Sequence, residues 1–425
     1  MKNPWVLFGE VQAFRQDALS FFGRNDLYDA PVTSIDLGIR DVKVITRAEV
    51  AEQALTLPSF IRGKESYGPL GTFAGQGSLR ALIGPTLPML DGDEGLERRK
   101  IMRPVYTEAA RKLASKGMDT DEIDRSDLEP GECDLYRLVS AEVFARFCQI
   151  FIGQTYPGDA SRITEAIHRA TDLLDMLSKS FRPYACARGP AARSLRTYKE
   201  DIVAFSRMLL RELQDAPDAP MARLLDGALS EEEQLEEMAA TLIASLETTT
   251  LTSCWSIVQL LRHPEYLDRI RHSSPDVARH WVKLCVKETL RQYPAFWTLI
   301  RVVTERTVTP EHTFEEGDIV FISPLLIHHN PAHWERPDNY EPERHDSKER
   351  RARGAYIPFG HGARACIGAH IATQIIQEIV YGVRSFRSIR FTDKEPERDP
   401  KIILLKSHTG FRVVVNERPA TGAVR

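Results

Sequence analysis

The segment FGHGARACIG, residues 359–368, surrounds one cysteine with three glycines and an arginine. A thiol used only for packing usually sits among Val, Leu or Ala. Glycine is used where the backbone turns tightly or lets another group approach closely. The residues that follow, IGAHIATQIIQEIV, place isoleucine at 367, 371, 375 and 379, a helical spacing. Cys366 therefore stands at the mouth of a helix, where unpaired N–H groups and the helix dipole favour a thiolate. That arrangement suits a permanent negative ligand better than a buried neutral thiol.

Upstream of this loop lie three further features. KETLR, residues 287–291, sets Glu288 and Arg291 three apart on a helix, where their side chains can pair. YEPERH, residues 340–345, is a short segment just before the cysteine loop. The longest helical pattern begins at Ser230, whose partner Glu233 completes a capping-box signature, and stops before Pro264. Such a helix is about 50 Å long, enough to cross a whole domain. Between Met238 and Leu261 its only charge is Glu247, followed at once by Thr248, Thr249 and Thr250. Eight serines and threonines and this carboxylate argue against a membrane span. A carboxylate beside a hydroxyl in a buried helix suggests a proton-handling site.

The rest of the chain sets the bounds. It has 425 residues, a net charge of −4 and 27% charged residues, which favours neither nucleic acid nor an anionic membrane as partner. Six cysteines are scattered without a CxxC pair, which points to a reducing cytoplasm. The N-terminal residues carry charges throughout, so neither a signal peptide nor a membrane anchor is expected. Alternation in SIDLGIRDVKVIT predicts two strands, and RAEVAEQAL a helix after them. Helical patterns prevail from about 95 to 290, broken at 156–159 and 215–221, and strands return at 318–322, 388–392 and 411–415. No repeat or interdomain linker is visible. The expectation is a mainly α fold with small β-sheets, residues 1–425 forming one large domain.

Taken in order and separation, these features resemble the haem-thiolate monooxygenases, the cytochrome P-450 family, in its soluble bacterial-type members. Phe359, Gly362, Arg364, Cys366 and Gly368 match the family pattern F-x-x-G-x-R-x-C-x-G. Glu288 and Arg291 match E-x-x-R, and Arg344 falls where a second arginine bonds this glutamate. ASLET, Ala244 to Thr248, is similar to the central-helix motif alanine-glycine-x-acid-threonine. The resemblance implies haem b with Cys366 as axial thiolate, a ligand that favours O–O cleavage. It implies propionate contacts from Arg364, Arg99 and Arg301, close backbone approach at Gly362 and Gly368, and Phe359 packed near the ligand. Glu288, Arg291 and Arg344 would form a buried network. Thr248 and Glu247 would deliver protons during oxygen activation, and Phe296 and Trp297 would line the substrate cavity.

Two departures stand out. Gly95 replaces the histidine of the helix that carries Arg99, which removes one propionate donor. Ser245 replaces the glycine of the central helix and either narrows the groove there or adds a hydrogen bond. The stretches 66–85, 170–200, 296–299 and 407–411 are expected to contact substrate.

The implied activity is insertion of one atom of O2 into a small lipophilic molecule, driven by a separate ferredoxin- or flavodoxin-like donor with its reductase. A haem-thiolate peroxygenase or isomerase, and a non-catalytic haem sensor, are the alternatives. Arg98, Lys100 and Arg103, with Lys348, Arg350, Arg351 and Arg353, are expected to form the donor's docking surface. His328 and His329 lack partners at metal-ligand spacing and read as structural.

Overall fold

The computed structural model describes residues 25–36, 41–62, 82–116, 131–156, 160–178, 190–346, 352–399 and 404–417. Its helices are α1 (Ala48–Thr56), α2 (Gly92–Lys116), α3 (Leu135–Phe147), α4 (Ser161–Ser178), α5 (Pro190–Glu212), α6 (Glu231–Arg262), α7 (Pro264–His272), α8 (Pro275–Gln292), α9 (Pro324–His329) and α10 (Ala369–Gly382). The strands are β1 (Val32–Asp36), β2 (Asp41–Ile45), β3 (Phe60–Ile61), β4 (Gly131–Asp134), β5 (Leu299–Val303), β6 (Thr307–Val308), β7 (Thr313–Phe314), β8 (Ile319–Ile322), β9 (Phe386–Phe391), β10 (Arg398–Asp399), β11 (Lys406–Ser407) and β12 (Arg412–Glu417).

α6 is the axis of the molecule. Ser230 caps it as its sequence predicts: its hydroxyl accepts from the Glu233 amide while the Glu233 side chain accepts from the Ser230 amide. α3, α5, α8, α10 and α4 all pack against this helix. It is buried almost all round from Glu237 to Leu260, although rich in hydroxyls. The hydroxyls of Thr248, Thr252, Ser253 and Ser256 donate back to the carbonyls of Ala244, Thr248, Thr249 and Thr252 at 2.6–2.9 Å. Internal satisfaction of this kind lets a polar helix sit in an apolar core.

The largest sheet has the strand order β1-β2-β8-β5-β3. β2 and β8 run parallel, Val42 opposite Ile319, although more than 270 residues separate them in sequence. The other pairs are antiparallel, with Leu299 opposite Ile322 and Phe60 opposite Val303. A second sheet, β4-β12-β9, joins the chain's C-terminal strand to the entry of α3. The predicted strands at 318–322, 388–392 and 411–415 correspond to β8, β9 and β12 within two residues. β3 to β7, β10 and β11 escaped the sequence reading. β4 is GECD, with no apolar alternation to reveal it.

Candidate active site

Between α6, the start of α2 and the cysteine loop lies a cavity of about 370 Å³, within the usual size range of ligand sites. Ala244, Ser245 and Thr248 of α6 line it, as do Cys366 and Gly368 of the loop. Cys366 and Ala244 carry open surface although they sit inside the molecule, because that surface is cavity wall. The loop is held open by tight turns. Gly362 has φ +72°, and a side chain there would come within 2.7 Å of the Leu55 carbonyl. The Cys366 amide donates to the Phe359 carbonyl at 2.8 Å, closing the loop on itself. A Cβ on Gly368 would touch Tyr106 and lie 4.0 Å from the Cys366 sulfur.

Without a metal, burial pushes the pKa of the thiol up, while a bond from the Gly368 amide and the charge of Arg99 pull it down. A coordinated metal adds the charge that makes such a sulfur a thiolate.

Three arginines converge on the cavity: Arg99, Arg301 and Arg364. Arg99 donates to the Ala365 carbonyl at 2.7 Å, and Arg301 to the Ile300 carbonyl at 2.8 Å. Arg62, at the end of β3, is a fourth, which the sequence reading missed for want of a motif around it. It donates to the Pro88 carbonyl. Glu237, nearer the start of α6, also lines the cavity and was missed. Its carboxylate accepts from Arg98 at 2.7 Å and from the Leu87 amide at 2.8 Å. Burial raises its pKa against these two donors.

That pair corrects the expected docking surface. Arg98 is buried and also bridges Glu233 at 2.5 Å, so it belongs to the interior. Lys100 and Arg103 are exposed, and Arg353 is exposed near Glu52; Lys348, Arg350 and Arg351 lie outside the described residues.

Trp297 also departs from what the sequence led us to expect. Phe296 and Thr298 line the cavity, but Trp297 between them is buried in the core, and its carbonyl accepts from Ser323. Residues 407–411 do not line it either; Phe411 packs edge-on against Trp255 at 5.1 Å. Most of 66–85, and 179–189, lie outside the described residues.

Glu247 faces away from the cavity wall, and Thr248 is on it. The carboxylate is fully enclosed by three donors from three elements: Lys406 of β11 at 2.8 Å, His168 of α4 at 3.4 Å, and the Tyr136 hydroxyl of α3. Burial would raise its pKa, but Lys406 and His168 outweigh this and hold it below the usual carboxylate range. Lys406 also meets Asp172 and Thr171, each at 2.8 Å. It reaches this position because Leu405 is pinned on both sides, its amide to Ala295 and its carbonyl to the Trp255 indole.

Beyond the cysteine loop, Glu288 of α8 accepts two bonds from Arg291, at 2.8 and 2.9 Å, and one from Arg344 at 3.1 Å. His345 and the Glu341 amide complete its shell at 2.8 and 3.0 Å; the sequence reading did not assign His345. Burial would raise the Glu288 pKa, yet His345 and Arg291 hold it at about 2. Arg291 donates to the carbonyls of His328 and Pro337, both at 2.7 Å. His328 donates from Nδ1 to the Arg291 carbonyl and accepts at Nε2 from the Ile357 amide, two residues before Phe359. This network therefore runs straight into the cysteine loop.

Comparison with known proteins gives the arrangement a family. The sequence profile described as Cytochrome P450 matches residues 1–411. Cytochrome P450 4F5 of Rattus norvegicus is 33% identical over 198 residues, 41% of this chain and 37% of that protein. Leukotriene-B4 omega-hydroxylase 3 of Mus musculus is 32% identical over 195 residues, again 41% and 37%. The matched region is thus little more than a third of these relatives' length. The crystal structure of CYP175A1 from Thermus thermophilus superposes with a TM-score of 0.77 at 20% identity, covering 96% of this chain and 97% of that one. A six-coordinated cytochrome P450 from another strain of the same bacterium gives 0.68 at 20% identity, over 88% and 93%.

The cavity suits the haem b that such proteins hold through a cysteine thiolate. It offers one sulfur with open surface, Gly368 without a side chain beside it, and arginines in its lining whose charge suits an anionic edge. By sequence profile, fold and site together, this chain belongs to the cytochrome P450 family.

Proposed function

We propose that the protein is a monooxygenase that inserts one oxygen atom of O2 into a small, lipid-like molecule. The observation that carries this reading is that Cys366 and Thr248, on two separate elements, open into one cavity. Haem b bound at Cys366 supplies the oxygen-activating chemistry. The chain's own residues do the rest. Arg99, Arg301 and Arg364 hold the anionic edge of the group. Gly368 allows its close approach, Gly362 lets the loop turn tightly against α1, and Glu288, Arg291 and Arg344 brace the loop beneath it.

Thr248 presents a hydroxyl on the cavity wall that now donates to the Ala244 carbonyl at 2.6 Å. An acceptor on the cavity side can turn this hydroxyl outward and draw a proton through it. Glu247 next to it is held ionised, so it refills that proton only by relay, first taking one from the Lys406 ammonium that it bonds at 2.8 Å. Ser245, one turn from Thr248, adds a second hydroxyl at the same wall. Phe147, Phe151, Phe296, Leu299 and Ile371 give the cavity an apolar lining. Such a lining favours a hydrocarbon-rich substrate. The names of the relatives agree with that class, one of them being a leukotriene omega-hydroxylase.

Electrons come from a separate ferredoxin- or flavodoxin-like protein. Lys100 and Arg103 on α2 are the exposed members of the expected basic cluster that meet it. The protein works in the cytoplasm, an assignment that its scattered cysteines support. No helix among the described residues is long and apolar enough to cross a membrane. The test is a panel of fatty acyl and terpenoid compounds with a generic ferredoxin and its reductase. Substrate-dependent NAD(P)H consumption with a hydroxylated product is expected. Haem binding without such turnover on any compound would favour the sensor reading.

A further inference from the structure

We propose that Asp91 is a positioning residue for the haem edge, acting through Arg364, and that Gly95 is the space this arrangement needs. The proposal rests on the cavity being the haem site. The start of α2 and the cysteine loop are clasped in both directions. Arg99 of α2 reaches over to the Ala365 carbonyl of the loop at 2.7 Å. Arg364 of the loop reaches back to Asp91 at 2.5 Å and to the Leu90 carbonyl.

Between them lies Gly95, four residues before Arg99 and so on the same helix face. A Cβ there would stand 2.9 Å from the Leu90 carbonyl oxygen and 3.4 Å from Nη2 of Arg364. Any larger side chain would enter the space that the guanidinium occupies. Gly95 is therefore not simply a lost propionate donor. Its missing side chain is the seat of an arginine that arrives from the other element.

A guanidinium has five N–H donors in one plane. One of them donates to the Leu90 carbonyl, the Asp91 carboxylate lies against Nη2 as an ion pair, and Arg364 also lines the cavity. Both partners of the pair are mostly shielded from solvent, with side-chain exposures of 23% and 11%, so the charge attraction keeps the guanidinium against the start of α2. Asp91→Asn keeps the volume but removes the charge that holds the arginine there.

The experiment follows haem transfer from the holoenzyme to an excess of apoglobin, together with the midpoint potential. Haem loss from Asp91→Asn is expected to be about tenfold faster, the size of an ordinary coupling between contacting groups. Its potential should rise as a negative charge leaves the haem edge. In an Arg364→Leu background the same substitution should change haem loss less than about twofold, because Asp91 acts through the arginine. Gly95→His should loosen haem as well, since it evicts Arg364.

Unchanged haem loss in Asp91→Asn would overturn the proposal, as would an equal effect with and without Arg364. Tighter haem in Gly95→His would also overturn it, by showing that the position merely lacks a donor. Absence of any thiolate-type CO spectrum in the parent protein would instead remove the family site on which the proposal rests.

Discussion

At the scale of single residues, the central helix separates two neighbours with different tasks. Thr248 faces the cavity, and Glu247 is bonded inward to Lys406, His168 and Tyr136. Thr248→Ala is therefore expected to keep haem and substrate affinity while diverting electrons to peroxide, read as lower product per NAD(P)H consumed. Unchanged coupling would remove the role assigned to the hydroxyl. Lys406→Met strips the buried Glu247 of its closest cation and Asp172 of the same partner. Leaving a charge stranded in this way costs about 3–5 kcal/mol, measurable by urea unfolding. Adding Glu247→Gln should restore part of that loss, because the stranded charge is then gone. Glu247 was legible as special from its isolation in an apolar helix. Its partners were not, because Lys406 lies some 160 positions away and carries no local pattern.

Among the elements, the cysteine loop is the one whose geometry is spelled out by glycine. Gly362 combines φ +72° with a carbonyl 2.7 Å from where a Cβ would sit. Gly362→Ala is expected to lower stability by about 1–2 kcal/mol from the left-handed backbone alone. It should also reduce haem occupancy, seen as a smaller Soret absorbance per protein; full occupancy in this variant would show that the loop tolerates another path. The central helix was equally readable, with start, cap and stop all local signals. The strand β4 was not, since its four residues are strand only because β12 offers them hydrogen-bond partners.

Over the whole molecule, the buried polar network between α8, α9 and the cysteine loop makes stability depend on pH. Burial lowers the His328 pKa from 6.5 to about 3. The unfolded chain therefore takes up a proton below about 6.5 that the folded chain refuses until about 3, and stability falls as pH drops through that window. Glu288, held at about 2 against 4.5, adds a loss that begins near 4.5 and runs down to about 2. Urea midpoints measured from pH 7 to pH 4 should fall steadily. In His328→Gln the slope between pH 6 and 4 should shrink by about one proton. A pH-independent midpoint over that range would show that the histidine is not buried neutral.

What the sequence alone determined is whatever its local pattern encodes. The glycine-framed cysteine, the spacing of Glu288 and Arg291, the cap of the long helix and the carboxylate beside Thr248 are all read within a few residues. Their order along the chain was enough to reach the family. The tertiary structure decided which of two adjacent side chains meets the cavity, so that Phe296 lines it and Trp297 does not. It also turned Arg98 from an expected surface charge into the buried partner of Glu237, and brought His345 to Glu288 and Arg364 to Asp91. The physical reason is the same in each case. A periodic pattern reports which face of an element is apolar, but the partner of a polar group is set by packing between segments far apart in the chain, and one sequence carries no record of that distance.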